Sequence, residues 1–422
     1  MSPAAKPRYL TKSRFKLAAE CPTKLYYTGK PKTYADTNQD DDFLMALAEG
    51  GFQVGELAKL MHPGGQEVAS TQHEEAIDQT RRLLAQGDVT LFEAAIGHGN
   101  LFARVDILRK EGDQVHLIEV KAKSFDSTNP SAFRQKSGDI KKDMLPYLQD
   151  VAFQRHVMSL AFPHLKIRCF LMLADKSKTC TVDGLNQKFM ISRTVDGRAR
   201  VQVVPGTSAS NIGEPILSIV DVDDLVDQIL RDPLVAPGAT GTLAQLAQSW
   251  SEQYRSDIKI DPVIGAYCAK CEFRAVTGAS DLKSGFHECW RTALNWTDAQ
   301  IDEGTVLDIW NFRGKQDLIE RGVHRLRDVT QEDLKYAQAE EGLSPSQRQW
   351  MQVSGHWPGG QDFYLDQQLI AREMAGWSFP LHFIDFETAR VAIPFFASQR
   401  PYANIAFQFS HHEMQKDGTV AH

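Results

Sequence analysis

The sequence predicts an α/β fold, and three stretches carry that prediction. Residues 101–109 and 114–122 alternate apolar with polar or charged side chains on either side of Glu-Gly-Asp-Gln, the pattern of two strands joined by a tight turn. KIRCFLMLA, residues 166–174, is an apolar run bounded by charge and suits a central strand. Between residues 220 and 256 the pattern turns helical, in DVDDLVDQILRD and TLAQLAQSWSEQY, separated by PLVAPGATG.

Taken in order, the chain opens with an amphipathic helix, Lys12 to Glu20. Lys6, Arg8, Lys12, Arg14, Lys16, Lys24, Lys30 and Lys32 stand there against Glu20 alone, with Tyr9, Phe15, Tyr26 and Tyr27 interleaved. This mixture suits phosphate contacts and base stacking, and equally a solvated basic face with its aromatics in the core. Asp36, Asp40, Asp41 and Asp42 follow as a solvated loop and helix start, too sequential to converge on a metal. After the hairpin and the apolar strand, KFMISRTVDGRARVQVVPG reads as a second hairpin decorating the core. Residues 291–375 read as a helical connector, with helix-like pieces in WTDAQIDEGTVLDIW, GKQDLIERGVHRLRDV and SPSQRQWMQVSG. From Phe379 the character changes again, and PLHFIDFETARVAIPFF and RPYANIAFQFSHHEM read as strands.

At 422 residues the chain has room for about two or three domains, and 42% hydrophobic with 24% charged residues is ordinary for a globular protein. No apolar run reaches about 18 residues and no apolar segment opens the chain, so neither a membrane span nor a secretory signal is expected. The expected compartment is the cytoplasm. A net charge of -7 argues against a protein that coats a polyanion over its whole surface, and places any such contact on local basic patches.

Asp106 and Glu119-Val120-Lys121 are the chemical centre of the hairpin. Glu119 and Lys121, two apart on one strand, project from one face, and Asp106 meets that face from the neighbouring strand. Two carboxylates give hard oxygen ligands for Mg²⁺ or Mn²⁺ and leave positions for water and phosphate oxygens. A lysine beside them orients the attacking water or stabilises charge developing on phosphorus. An ordinary hairpin with a charged outer face shows the same letters, and the spacing alone leaves both readings open.

Six cysteines in a chain without an export signal are not expected to form a disulfide framework. Cys268 and Cys271 form Cys-Ala-Lys-Cys, a spacing that places two thiolates on one metal, and Cys289 follows in GFHECW. Cys169, inside the apolar strand, reads as a core thiol, and Cys180 shows no partner. A 4Fe-4S cluster, a structural Zn²⁺ site and unligated thiols all remain open from spacing.

With these residues in place, the chain resembles the RecB-like branch of the PD-(D/E)XK nucleases. The resemblance implies a restriction-endonuclease-like core and a metal-dependent deoxyribonuclease of exonuclease type. It implies a helix before the hairpin with a further acid or histidine, for which GGFQVGELAKLMHPGG offers Glu56, with His62 the weaker candidate. It also implies a glutamine on the helix after the hairpin, here PYLQDVAFQRHVMSLAF, with Gln154 the preferred match and Gln149 the other. The iron-sulfur subgroup of that branch, which includes the CRISPR adaptation nucleases, places one cysteine before the core and three after it. That implies Cys21 with Cys268, Cys271 and Cys289 as ligands of a structural 4Fe-4S cluster, with structural Zn²⁺ as the alternative. Seventeen residues separate Cys271 from Cys289, a wider gap than in those relatives.

The succession KSRFKLAAECPTKLYY, GELAKLMHPGG, DVAFQRHV, Cys-x-x-Cys with GFHECW, and HFIDFETARVAIPFFASQRPYANIAFQFSHH is similar to bacterial proteins that end in the domain of unknown function 2779. There the last domain resembles an RNase H-like exonuclease of the DEDD class, which implies Asp385 and Glu387 as candidates for a second metal site. The expected domains are a nuclease domain with its Cys₄ cluster at 1–290, a helical connector at 291–375 and an RNase H-like start at 376–422. The last is expected to be truncated, because the sequence reaches His422 inside its second strand. DNA is the expected partner, beside repair, CRISPR or defence proteins, and no membrane. The alternative from another class is a non-catalytic module that binds DNA ends or forks and acts with a partner nuclease.

Overall fold

The computed structural model describes residues 8–38, 42–193, 199–275, 281–357, 360 and 363–422, so Lys6, Asp40 and Asp41 of the charge clusters lie outside the described residues. The strands are β1 (Leu10–Thr11), β2 (Gln66–Glu67), β3 (Val89–His98), β4 (Leu101–Glu111), β5 (Gln114–Phe125), β6 (Lys166–Asp175), β7 (Phe189–Arg193), β8 (Ala199–Val203), β9 (Leu217–Asp221), β10 (Leu234–Ala236), β11 (Ala239–Gly241), β12 (Leu381–Ala389), β13 (Ile405–Met414) and β14 (Val420–Ala421). The helices are α1 (Lys12–Glu20), α2 (Lys24–Tyr27), α3 (Asp42–Leu60), α4 (His73–Leu84), α5 (Leu145–Ala161), α6 (Asp223–Arg231), α7 (Leu243–Arg255), α8 (Gly285–Leu294), α9 (Asp298–Asp302), α10 (Lys315–Glu320), α11 (Pro345–Ser354) and α12 (Gln367–Ala375). The chain is mixed α/β, and its contacts divide it into two compact units that interleave in sequence.

The first unit comprises residues 1–26, 40–260 and 389–405. Its sheet runs β2-β3-β4-β5-β6-β9, with β1 paired to β4. The β4–β5 hairpin pairs from Glu111↔Gln114 to Ile107↔Ile118. Gly112 opens its two-residue turn at φ 60°, a conformation that a Cβ would strain. β5 and β6 are parallel, so a crossover must join them, and α5 supplies it. α5 packs on β3 to β6 and buries Leu148, Val151, Phe153 and Val157 against Leu117 and Leu171. Successive strand residues point to opposite faces, so Ile118 and Met172 lie on the other side, where α3 covers them with Val54, Leu57 and Ala58.

One irregularity organises this sheet. β3 follows β4 along its whole length, from Val89↔Lys110 to His98↔Leu101. On its other edge β4 has β5 only from Ile107 onward, and β1 takes that edge at Leu101 and Phe102. Residues 103–106 of β4 thus face a split between two partners, and α1 begins at Lys12, directly after β1. Thr11 caps α1 by accepting the Arg14 N–H at 3.3 Å.

At the end of β6, Asp175 is fully buried and accepts from Ser127 N, Ser177 N, Ser177 Oγ and Ser218 Oγ at 3.3, 3.0, 2.6 and 2.7 Å. Burial pushes its carboxyl up, but these hydrogen bonds outweigh it and hold the group well below the usual range. A depressed carboxyl stabilises the fold above the unfolded value of about 3.9 and loses that contribution as pH falls through the folded one. Asp175→Ala is expected to cost about 2 kcal/mol at neutral pH and to flatten the acid limb of stability below about pH 4, read by urea denaturation.

The second unit comprises residues 27–39, 261–388 and 406–422. Its core gathers Phe286, Trp290, Val306, Ile309 and Leu318. Several of its helices are short and carry capping boxes, Thr297 with Gln300 in α9 and Ser344 with Gln347 in α11. β12, β13 and β14 form its sheet, so a third strand follows the two read from sequence. Among the described residues no helix is long and apolar enough to cross a membrane.

Candidate functional site

The split between β4 and β5 is where the predicted residues meet. The Ile107↔Ile118 pair is the last rung of the hairpin ladder, so Asp106 and Glu119 occupy the next rung, which is not formed. Asp106 fills it with its side chain, its Oδ2 accepting the Val120 N–H at 2.7 Å. Beyond this point β5 follows β6 alone, with Glu119 beside Leu171 and Lys121 beside Leu173.

Glu119 is fully buried and each of its oxygens is engaged. Oε1 takes the ammonium groups of Lys12 and of Lys121, the latter at 2.5 Å, and Oε2 accepts Gln154 Nε2 at 2.6 Å. Lys121 also reaches Asp150 at 3.0 Å, one turn before Gln154 on α5. The preferred glutamine is therefore the one that meets Glu119. Gln154 Oε1, buried, has no hydrogen-bond partner among the described residues.

These groups set one another's charge. Burial pushes the Glu119 carboxyl up, and the ammonium groups of Lys12 and Lys121 overcome it, so the group is held down as carboxylate. Asp106 is driven the other way, first by burial and then by the negative charge of Glu119. Lys121 loses by burial and gains more from Glu119, Asp150 and Asp106, so its charge is locked in.

A cleft of about 1060 Å³ opens over this cluster. Asp106, Glu119 and Lys121 line it together with Glu56, Glu67, Glu93, Lys12 and Lys59. Glu56 comes from α3 and is paired with Lys59 at 2.9 Å, which also reaches Glu67 at 3.2 Å. His62 does not line the cleft; burial depresses its pKa, and Nε2 has no hydrogen-bond partner among the described residues. The β7–β8 hairpin, expected as decoration, forms a wall through Ser192 and Ala199 to Val203, with Arg200 at the rim. No group of three or more His, Cys, Asp or Glu side chains is closed around one point as for a metal ion among the described residues. In the cleft, lysine ammonium groups stand among the carboxylates.

Among the charged residues of the cleft, Lys12, Lys59, Glu67 and Glu93 carry no site signal in the sequence: Lys12 reads there as part of the basic patch, and Glu93 stands alone in a strand. Glu93 faces Asp106 in the β3–β4 register, between the Phe92↔Ile107 and Ala94↔Val105 pairs, with φ at 54°. A glutamate held left-handed inside a strand is strained, and such strain gathers at functional sites. Burial raises its carboxyl against the pull of Lys59 and Arg104. In the sequence Glu93 is marked only as a lone acid in the apolar run TLFEAAIGH.

Behind Lys121 the β5–β6 register shifts before Ser124, and the Tyr402 hydroxyl donates to the Ala122 carbonyl there. Tyr402 belongs to residues 389–405, the part of the first unit that buries Ala392 and Ile393 in the cluster under α3. Tyr402→Phe is expected to cost about 1 kcal/mol in stability and, by freeing the bulge after Lys121, to lower any activity of the cleft by up to about tenfold. Denaturation and steady-state kinetics read the two effects.

In the second unit, Cys268, Cys271 and Cys289 are half-buried and pack against the one apolar cluster of Phe286 and Trp290. Cys271 N donates to Cys268 O at 3.2 Å in a short 3₁₀ turn, and Cys289 Sγ lies 3.3 Å from the Tyr27 hydroxyl. Cys21 lies in the first unit, at the end of α1, and Cys169 and Cys180 are buried there. Asp385 and Glu387 sit two apart on β12 and are exposed, Asp385 accepting only the N–H of Phe386, at 2.9 Å, among the described hydrogen bonds.

Residues 382–422 match the family model of a domain of unknown function, DUF2779. The DUF2779 segment holds β13, β14 and nearly all of β12, and it includes Asp385 and Glu387 but no residue of the cleft. The match supports the DUF2779 assignment drawn from the last sequence block. No curated protein and no solved structure matches the chain.

Proposed function

We propose that the first unit is a metal-dependent nuclease of the RecB-like PD-(D/E)XK type, hydrolysing phosphodiester bonds in DNA. The observation that carries this reading is the convergence of Lys12, Lys121 and Gln154 on the buried Glu119 carboxylate, with Asp106 bonded to the next residue, Val120, at an open cleft. The donor set fits Mg²⁺ or Mn²⁺, because Glu56, Asp106 and Glu119 are all oxygen donors lining that cleft. When bound, the cation supplies Lewis acidity toward a phosphate oxygen and acidifies its water. Gln154 fixes the Glu119 carboxylate, and Asp150 anchors Lys121 so that its ammonium faces the cleft wall. There it stabilises charge developing on the phosphate without a covalent intermediate.

The same reading gives the cysteines a structural 4Fe-4S cluster on Cys21, Cys268, Cys271 and Cys289, with Zn²⁺ as the alternative. Its support is the resemblance together with the shared packing of the last three. Iron and sulfide analysis of anaerobically purified protein separates the two metals. Asp385 and Glu387 stay candidates for a second, RNase H-like site.

The decisive experiment incubates labelled single-stranded and double-stranded DNA with the protein in Mg²⁺, Mn²⁺ or EDTA. Products that need the metal and vanish in Glu119→Gln support the nuclease. Tight binding with no metal-dependent product overturns it in favour of a DNA end- or fork-binding module.

A further inference from the structure

We infer that Lys12 is the site's internal counter-ion: its ammonium holds the Glu119 oxygen that a divalent cation needs, and the cation binds by displacing it. This rests on reading the cleft as a divalent-cation site. Glu119 Oε1 has both lone-pair positions taken, by Lys12 and by Lys121, so a cation ligated through that oxygen must take a position from one of them. Gln154 holds Oε2 from inside the core and has no exposure. Lys121 shares Oε1 but is tied a second time, to Asp150 at 3.0 Å. Lys12 has Glu119 as its sole described hydrogen-bond and ion-pair partner, and it lines the cleft.

The Lys12 ammonium can leave Glu119 without its backbone, because its charge sits on a flexible four-carbon stem, and the incoming cation replaces the positive charge that the buried carboxylate loses. The Lys12 backbone does not move. α1 is pinned by the β1–β4 pairing, by Leu10 N donating to Asn100 O at 2.8 Å, and by Phe15 stacked on Phe153 at 4.9 Å. The released ammonium therefore stays over the cleft, where an anionic phosphate ligand replaces Glu119 as its partner. One lysine thus neutralises the buried carboxylate before loading and contacts phosphate after it.

The test is Mn²⁺ titration of the full chain by calorimetry without nucleic acid, comparing wild type with Lys12→Met, Lys12→Gln, Lys12→Arg and Glu119→Gln. Removing a competing unit charge should tighten Mn²⁺ binding by about tenfold or more in the Met and Gln variants, while Arg stays near wild type. In the same variants, affinity for a DNA oligonucleotide in Ca²⁺ should fall several-fold, a change that a purely structural residue would not pair with tighter metal binding. Two neutral variants guard against one that fails to fold. Unchanged or weaker Mn²⁺ binding in folded Lys12→Met and Lys12→Gln, with binding lost in Glu119→Gln, overturns the role of Lys12 alone. Equal Mn²⁺ binding in wild type and Glu119→Gln overturns the metal-site reading and this inference with it.

Discussion

Lys121→Ala is expected to lower Mn²⁺-dependent DNA cleavage by about 10²- to 10⁴-fold with little loss of fold. The fold survives because Glu119 keeps two of its partners, Lys12 and Gln154. The rate falls because a charge held at the cleft wall by Glu119 and Asp150 is gone from where phosphate charge develops. Asp150→Asn makes the contrast. It leaves the ammonium present but loosely aimed, so its loss should be nearer tenfold. Steady-state kinetics with circular dichroism as a fold control reads both. A folded Lys121→Ala protein that cleaves at the wild-type rate sinks the assignment of Lys121 to the chemistry.

The hairpin was legible from sequence because its signals are local. Alternation over residues 101–122 and Gly112 in the turn place Asp106 and Glu119 opposite each other with no knowledge of the rest of the chain. The helix of Gln154 follows from the resemblance, and α5 brings it to Glu119 because a parallel β5–β6 pair demands a crossover on that face. Lys12 and Glu93 were not legible as site residues. Lys12 reaches Glu119 through pairing of Leu10 with Leu101, a contact between distant segments that no periodicity reports. Glu93 enters through a left-handed backbone turn in mid-strand, against the preference of its residue type. The wall built by β7 and β8 was hidden for a related reason: a hairpin with alternating letters does not say which helix it will lean on, and here it leans on α3.

Phe15 is where the packing of the fold and the charge of the site depend on each other. It is almost fully buried, stacked on Phe153 at 4.9 Å and tilted against Trp250 at 5.5 Å, and so joins α1 to α5 and α7. Phe15→Ala opens a cavity among large aromatics and should cost about 3 to 5 kcal/mol, a large part of the stability of a typical domain. Phe15→Leu is the more informative change, costing about 1 to 2 kcal/mol and leaving α1 attached but less fixed. Lys12 sits one turn earlier on the same short helix, so a looser α1 weakens its hold on Glu119. Phe15→Leu should therefore reproduce part of the Lys12→Met effect, with Mn²⁺ binding tighter than in wild type although the protein is less stable by urea denaturation. A destabilised variant that instead binds Mn²⁺ more weakly would show that α1 helps to build the cation site rather than competing for it.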